Sequence, residues 1–109
     1  MFLHMMRILA QDQAAEIAGT FHLLGDPTRL RILACCLDAP LPVGRIAVTH
    51  GLTPSLVSHH LRLLKAGRLV RAERHGREVH YVAADAHVRR IVADMIDHIA
   101  EQSDPPLEV

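Results

Sequence analysis

Apolar side chains repeat at helical spacing in the first third of the chain. Over residues 12–24 they form one stripe, which predicts a first helix ended by Gly25. Asp26 then suits the N-cap, and Pro27 the first position, of a second helix that runs to about Leu37. The stripe residues of these two helices are Ala14, Ile17, Ala18, Phe21, Leu24, Leu30, Leu33, Ala34 and Leu37. We expect those of the second helix to point inward.

A short helix, a tight turn and a second capped helix follow. Two closely spaced prolines end the second helix, and residues 43–50 predict a third helix that stops at Gly51. Thr53 suits the N-cap of a fourth helix, which spans about residues 54–66 before Gly67. This order predicts a helix-turn-helix.

The fourth helix has two unlike faces. Its apolar positions, among them Leu61, face the expected core, whereas Ser55, Ser58, His59 and Arg62 recur on the opposite side at i, i+3, i+4 and i+7. Such side chains can contact base edges or phosphates in the major groove. We also expect contacts from Thr53 and Lys65 at the two ends of this helix.

Two β-forming segments follow the fourth helix. Residues 69–74 and 77–83 predict a small hairpin with a turn at His75 and Gly76, and its tip carries Arg74, His75 and Arg77. A hairpin with a basic tip can lie along a phosphate backbone. The basic stretch could be only a solvated face, but its position around a helix-turn-helix favours binding of double-stranded operator DNA.

The last predicted helix, over about residues 85–101, carries histidines beside its apolar stripe. His87 and His98 are 11 residues apart, so their side chains point in nearly the same direction. They lie about 16 Å apart along the axis, too far for one metal ion with bonds of about 2 Å. Two antiparallel copies of the helix would bring Asp85 and His87 of one against His98 and Glu101 of the other.

Composition adds a class and a compartment. With 109 residues the chain is long enough for one domain, and with no Trp, one Tyr and two Phe its core must consist of aliphatic side chains, which suits helices. The net charge is zero, yet residues 62–77 are basic and residues 85–109 acidic. We expect a single domain over residues 1–109, with an arm at 1–9 and a tail at 103–109. No targeting or membrane-spanning segment is evident, so a cytoplasmic protein is expected.

The two cysteines are adjacent. Because neighbouring helical side chains diverge by about 100°, Cys35 and Cys36 are poor partners for a disulfide or a shared metal ion. We interpret them as structural thiols. A redox-responsive repressor that uses these thiols is the alternative function, and a metallohydrolase is disfavoured because no HExxH motif or activated nucleophile is evident.

Three segments resemble the ArsR/SmtB family of winged-helix metalloregulators. They are LGDPTRLRIL at 24–33, SHHLRLL at 58–64 and RHGREVHY at 74–81, and the likeness extends over about residues 15–102. The resemblance implies a mainly α winged helix-turn-helix with a small β-hairpin, and a homodimer through the first and fifth helices. It also implies repression of a metal efflux or resistance operon, relieved when the inducer binds.

Within that family, Asp85-x-His87 and His98-x-x-Glu101 look like the zinc site shared between subunits. Two imidazoles and two carboxylates suit Zn²⁺, with Co²⁺ or Ni²⁺ possible. Protonation of the imidazoles should weaken binding below about pH 6. His4 or Asp94 could add a ligand. A competing site within one helix would use Asp94, His98 and Glu101, and Asp85 could serve only as an N-cap. The thiolate sites of other family members have no matching cysteines here.

Overall fold

The part of the chain that the structure describes folds into five helices and a small sheet. The structure, a computed structural model, describes residues 6–103, without the side chain of Ser103. The elements in chain order are α1 (Gln11–Leu24), α2 (Pro27–Cys35), β1 (Leu41–Pro42), α3 (Val43–His50), α4 (Pro54–Ala66), β2 (Val70–His75), β3 (Glu78–Ala83) and α5 (Ala86–Ser103). The predicted class, mainly α with a winged helix-turn-helix, is confirmed. No helix within residues 6–103 is long and apolar enough to cross a membrane.

Short polar side chains fix the starts of three helices. Asp26, Thr53 and Asp85 each accept a hydrogen bond from the backbone N–H three residues later, at 2.8, 3.1 and 2.9 Å. Each bond satisfies a backbone donor that the first turn of a helix leaves unpaired. Pro27 and Pro54 occupy first-turn positions, where the missing N–H costs nothing.

The core lies between α2, α3, α4 and the sheet. Its buried side chains are aliphatic, as the composition predicts, apart from one thiol: Ile32, Leu33, Cys36, Leu37, Ile46, Ala47, Val57, Leu61, Leu64, Leu69, Val70, Ala83 and Val92. Helix α4 contributes three of the fully buried side chains, so the helix with the polar outer face is also the centre of the core. Its orientation is therefore set by the packing of the whole domain.

The sheet has one strand more than predicted. Leu41–Pro42 pairs antiparallel with β3, which gives the strand order β1-β3-β2. Two residues with a proline do not read as a strand in the sequence, and proline is tolerated here because β1 lies at a sheet edge. The hairpin turn is at Gly76 and Arg77, one residue later than predicted, because His75 pairs with Glu78. Gly76 has a φ of 65°, which fits a two-residue II′ turn.

Two predictions about α2 are corrected. The helix ends at Cys35 instead of Leu37, because the Cys36 carbonyl accepts a hydrogen bond from the backbone N–H of Ala83 (3.0 Å). Leu30 was expected to point inward but is 38% exposed. It borders a groove between α1 and α5 that the rest of the chain leaves open.

The arm and the tail fall largely outside the described residues. Residues 6–10 precede α1 and are exposed, whereas His4 and residues 104–109 are outside the described range. The division of residues 1–109 into arm, single domain and tail stays a prediction.

Candidate DNA interface and metal centre

The polar side of α4 faces outward. Thr53, Ser55, His59, Arg62 and Lys65 are exposed. Ser58 lies beside them and is half-buried. The opposite side of α4 is buried in the core, so these side chains stand on a rigid helix. The helix therefore presents hydroxyl, imidazole, guanidinium and ammonium groups together, which suits contacts to base edges and phosphates.

The hairpin of β2 and β3, which we call the wing, has less free positive charge than its composition suggests. Arg74 and Arg77 are exposed near the turn, but His75 hydrogen-bonds through Nε2 to Oε1 of Glu73 at 3.1 Å. Arg71 forms an ion pair with the same carboxylate. The His75 hydrogen bond holds the pKa of Glu73 below its ordinary value, with a smaller contribution from Arg71. Arg74 and Arg77 are therefore the freest positive charges at the tip.

A pair of stacked imidazoles stiffens the wing. The rings of His75 and His80 lie 4.1 Å apart and within 4° of parallel. Glu73 pairs with His80 and His75 with Glu78 across the two strands, so all four side chains share one face of the hairpin. The sequence predicts His75 as a phosphate contact, whereas in the structure its ring is hydrogen-bonded to Glu73 and stacked on His80. Its spacing of two residues from Glu73 on a strand was the signal for this partner.

The first half of the candidate metal site lies at the start of α5. The side chains of Asp85 and His87 are 56% and 92% exposed, and His87 Nδ1 is 3.9 Å from Asp85 Oδ1. Asp85 uses Oδ1 to cap the helix, as the alternative interpretation expected. Its second oxygen makes no hydrogen bond among the described contacts. Capping and metal binding are thus compatible at this residue.

The second half lies at the other end of α5. His98 and Glu101 are exposed, as is Asp94 between the two pairs. Within residues 6–103 of one chain, no three His, Cys, Asp or Glu side chains are grouped so that they could hold a metal ion. The competing one-helix site of Asp94, His98 and Glu101 is therefore not assembled in this structure.

An apolar surface accompanies these polar groups. We call it the open face, and it consists of Ile17 (43% exposed), Phe21 (55%), Ile91 (51%), Met95 (54%), Ile96 (48%) and Ile99 (54%). Most of its members line a groove of about 470 Å³ between α1 and α5. Asp85 and His87 line an adjoining groove of about 350 Å³ together with Ile17, Phe21 and Ile91. One half of the candidate metal site thus borders the open face.

A polar contact behind α4 was not predicted. His60 is only 9% exposed. Its Nδ1 lies 3.4 Å from Arg29 Nη1, and Arg29 Nε donates to the carbonyl of Leu23 at 2.8 Å. Burial lowers the pKa of His60, partly offset by the carboxylate of Asp26. The residue is therefore a neutral acceptor for the guanidinium.

The cysteines are poorly placed for redox chemistry. Cys36 is fully buried, and burial raises the pKa of its thiol to about 12. Its sulfur donates to the carbonyl of Ile32 at 3.5 Å. Cys35 is half-buried, and burial raises its pKa as well. Because the thiolate is the reactive form, this environment disfavours the alternative of a thiol sensor.

The fold and the outward polar helix beside a basic-tipped hairpin define a winged helix-turn-helix DNA-binding regulator rather than an enzyme. A model of the family described as "Bacterial regulatory protein, arsR family" matches residues 26–72. The chain is 38% identical over 94 residues to a transcriptional repressor SmtB homolog from Synechocystis sp., covering 86% of this chain and 71% of the relative. It belongs to the ArsR family, as the resemblance predicted.

Solved structures agree with this assignment. The crystal structure of the AntR antimony-specific transcriptional repressor matches with a TM-score of 0.79 and 30% identity, covering 92% of this chain and 91% of that one. A homodimeric winged helix-turn-helix DNA-binding domain from Mycobacterium bovis, solved by NMR, matches with a TM-score of 0.76 and 27% identity. The match covers 95% of this chain and 98% of that domain.

Proposed function

We propose that this chain is a repressor that binds operator DNA as a homodimer and releases it when zinc binds between the subunits. Each site would combine Asp85 and His87 with His98 of the partner subunit and Glu101 of the partner subunit. The regulator acts in the cytoplasm on a metal efflux or resistance operon. One structural relative, AntR, is an antimony-specific repressor, which supports an inorganic inducer.

The observation that carries the proposal is the place of Asp85 and His87. Both line a groove with Phe21 and Ile91 of the open face. An exposed apolar surface of this kind marks a protein interface. A second copy that covers it about a two-fold axis would bring its own α5 against this one, which is the arrangement that the spacing of His87 and His98 requires.

The donor set fits a divalent ion. Two neutral imidazoles and two carboxylates neutralise a charge of two, and four such ligands suit Zn²⁺, with Co²⁺ as a substitute and Ni²⁺ if a further ligand joins. When bound, the metal supplies directional bonds that tie one subunit to the other. The residues of the chain position it: the cap bond of Asp85 to Val88 N–H fixes the start of α5.

The DNA contacts belong to α4 and the wing. Contacts to bases and phosphates in the major groove would come from Thr53, Ser55, Ser58, His59, Arg62 and Lys65. Contacts to the flanking backbone would come from Arg74, His75 and Arg77. The half-sites of a dimer lie about one helical turn of DNA apart, so a small change in subunit placement prevents both α4 helices from docking. Metal binding then weakens DNA binding, and DNA binding weakens metal binding, by the same coupling free energy.

Subunit mixing tests the shared site. One variant carries Asp85→Ser, which keeps an N-cap, and His87→Ala. The other carries His98→Ala and Glu101→Ala. Neither homodimer should bind zinc, but a heterodimer regains one complete site, so mixing should restore about one zinc ion for every two dimers. Asp97→Ala, an exposed acid of α5, is the matched control and should bind as the wild type does.

The outcome distinguishes a zinc site shared between two chains from a site within one chain. Restoration on mixing requires ligands from two chains. If the mixture binds no more zinc than its components, although both fold and exchange subunits, the shared site is wrong. Zinc binding by the unmixed His87→Ala homodimer at wild-type affinity would also reject it. Fluorescence anisotropy with the protein's own upstream DNA then measures whether the restored heterodimer releases DNA when zinc is added.

A further inference from the structure

The last turn of α1 reaches α4 at two points, once directly and once through Arg29 of α2. The first is a close approach of Leu23 to Gly67, the residue that ends α4: a Cβ added at Gly67 would overlap Cδ1 of Leu23. The φ of Gly67 is −83°, which alanine adopts readily, so the backbone does not require glycine. The atom that a side chain here would meet first is Cδ1 of Leu23.

The second point lies two helical turns earlier in α4. The carbonyl of Leu23 accepts a hydrogen bond from Nε of Arg29 (2.8 Å), and Nη1 of the same guanidinium lies 3.4 Å from Nδ1 of His60. Asp26 holds the backbone of Arg29 through a further hydrogen bond of 2.8 Å. Since His60 is 9% exposed, little water competes for the guanidinium on that side.

These contacts lie seven residues apart on α4. Two contacts about 10 Å apart along a helix add to the constraint that core packing places on its tilt. On its other side, the same segment of α1 carries Phe21 and Leu24, which line the grooves beside α5. The end of α1 therefore reaches α4 on one side. On its other side it borders the surface where the second copy would sit.

We infer that the last turn of α1 helps to position α4 for DNA through two connections: Leu23 packs against Gly67, and Arg29 of α2 joins the carbonyl of Leu23 to His60. A displacement of α1 in the dimer is thereby passed to the DNA-contacting face. This inference rests on the proposed function for the role of the dimer, but the positioning of α4 by α1 does not depend on where the metal binds. Leu23, Arg29, His60 and Gly67 are positioning residues that need not touch DNA.

Gly67→Ala tests the first contact. The added methyl group must displace Cδ1 of Leu23 and so changes how the last turn of α1 packs against the end of α4. We expect the metal-free protein to bind its upstream DNA about tenfold more weakly, with unchanged zinc affinity in the absence of DNA. The double variant Gly67→Ala with Leu23→Ala makes room for the methyl group and should recover most of the DNA affinity. Gly19→Ala is the matched control, since nothing lies within 4 Å of its added Cβ.

Two results would overturn the inference. One is wild-type DNA affinity in a folded Gly67→Ala dimer; the other is a loss that Leu23→Ala does not recover. If Gly67→Ala does not fold, His60→Phe supplies the answer, because it keeps a buried ring but removes the acceptor for Arg29. The inference then requires weaker DNA binding at unchanged zinc affinity. Failure of the subunit-mixing experiment would reject the metal site and leave these measurements untouched.

Discussion

Removal of the Phe21 ring tests whether the open face is the surface that forms the dimer. Phe21 is 55% exposed in the single chain and lines both grooves beside α5. A phenylalanine offers about 200 Å² of surface, so about 110 Å² is left for a second copy to cover. At about 25 cal/mol per Å², that area corresponds to about 2.7 kcal/mol.

Symmetry doubles the effect. In a two-fold dimer both copies of Phe21 are buried, and alanine keeps only the Cβ, so Phe21→Ala should weaken the dimer by about 4 kcal/mol. That free energy raises the dimer dissociation constant about 1000-fold. The fold of the single chain should change little, because more than half of the side chain is not packed within it.

Sedimentation equilibrium over a range of protein concentrations measures this shift directly. Val48→Ala is the matched control: Val48 is 82% exposed but lies on α3 and lines neither groove. We expect its dissociation constant to equal that of the wild type. A Phe21→Ala variant that is folded and dimerises as tightly as the wild type would refute the assignment of the open face to the dimer. Equal weakening by Val48→Ala would show that the effect is not specific.

Three further predictions concern the single chain. Because the pKa of Cys36 is raised from 9.0 to about 12, its thiolate fraction at pH 8 is about 1000-fold below that of an ordinary thiol, and a thiol reagent should label it only after denaturation. Gly51 has a φ of 64°, so Gly51→Ala should cost about 1 kcal/mol and lower Tm by about 4–8 °C in a thermal melt. His60 has a lowered pKa in the fold and faces Asp26, Arg29 and His59. The unfolded chain therefore binds the extra proton first, and the free energy of unfolding should fall as pH drops through about 6.5, less so in His60→Gln.

Local rules were enough to predict most of the architecture from the sequence. The caps at Asp26, Thr53 and Asp85 and the glycine after α3 each act through neighbours in the chain, and all are present in the structure. Strand β1 was missed because Leu41–Pro42 has no pattern of its own and is a strand only by pairing with β3. The end of α2 was placed too late for the same reason: a distant backbone group, the N–H of Ala83, takes the Cys36 carbonyl.

In the candidate sites too, local sequence rules predict some features, and others depend on contacts between distant residues. Helical periodicity was enough to place Ser55, His59 and Arg62 on one exposed face of α4. The Arg29–His60 contact joins residues 31 positions apart, and no sequence spacing marks it. The proposed pairing of Asp85 and His87 with His98 and Glu101 at the other end of α5 requires a second chain. It stays a prediction, and the place of Asp85 and His87 beside the open face supports it.

The weak attachment of α5 explains why a sensor would be built there. Of its described side chains, only Val92 is buried, while those of the open face remain uncovered. Most helical stability in proteins comes from tertiary packing. A helix of 18 residues held by so little of its own chain must take its final position from what covers it. A second copy and a metal ion at its ends would therefore move α5 at a smaller cost than any helix of the core. The same forces applied to α4 would have to disrupt the packing of Val57, Leu61 and Leu64.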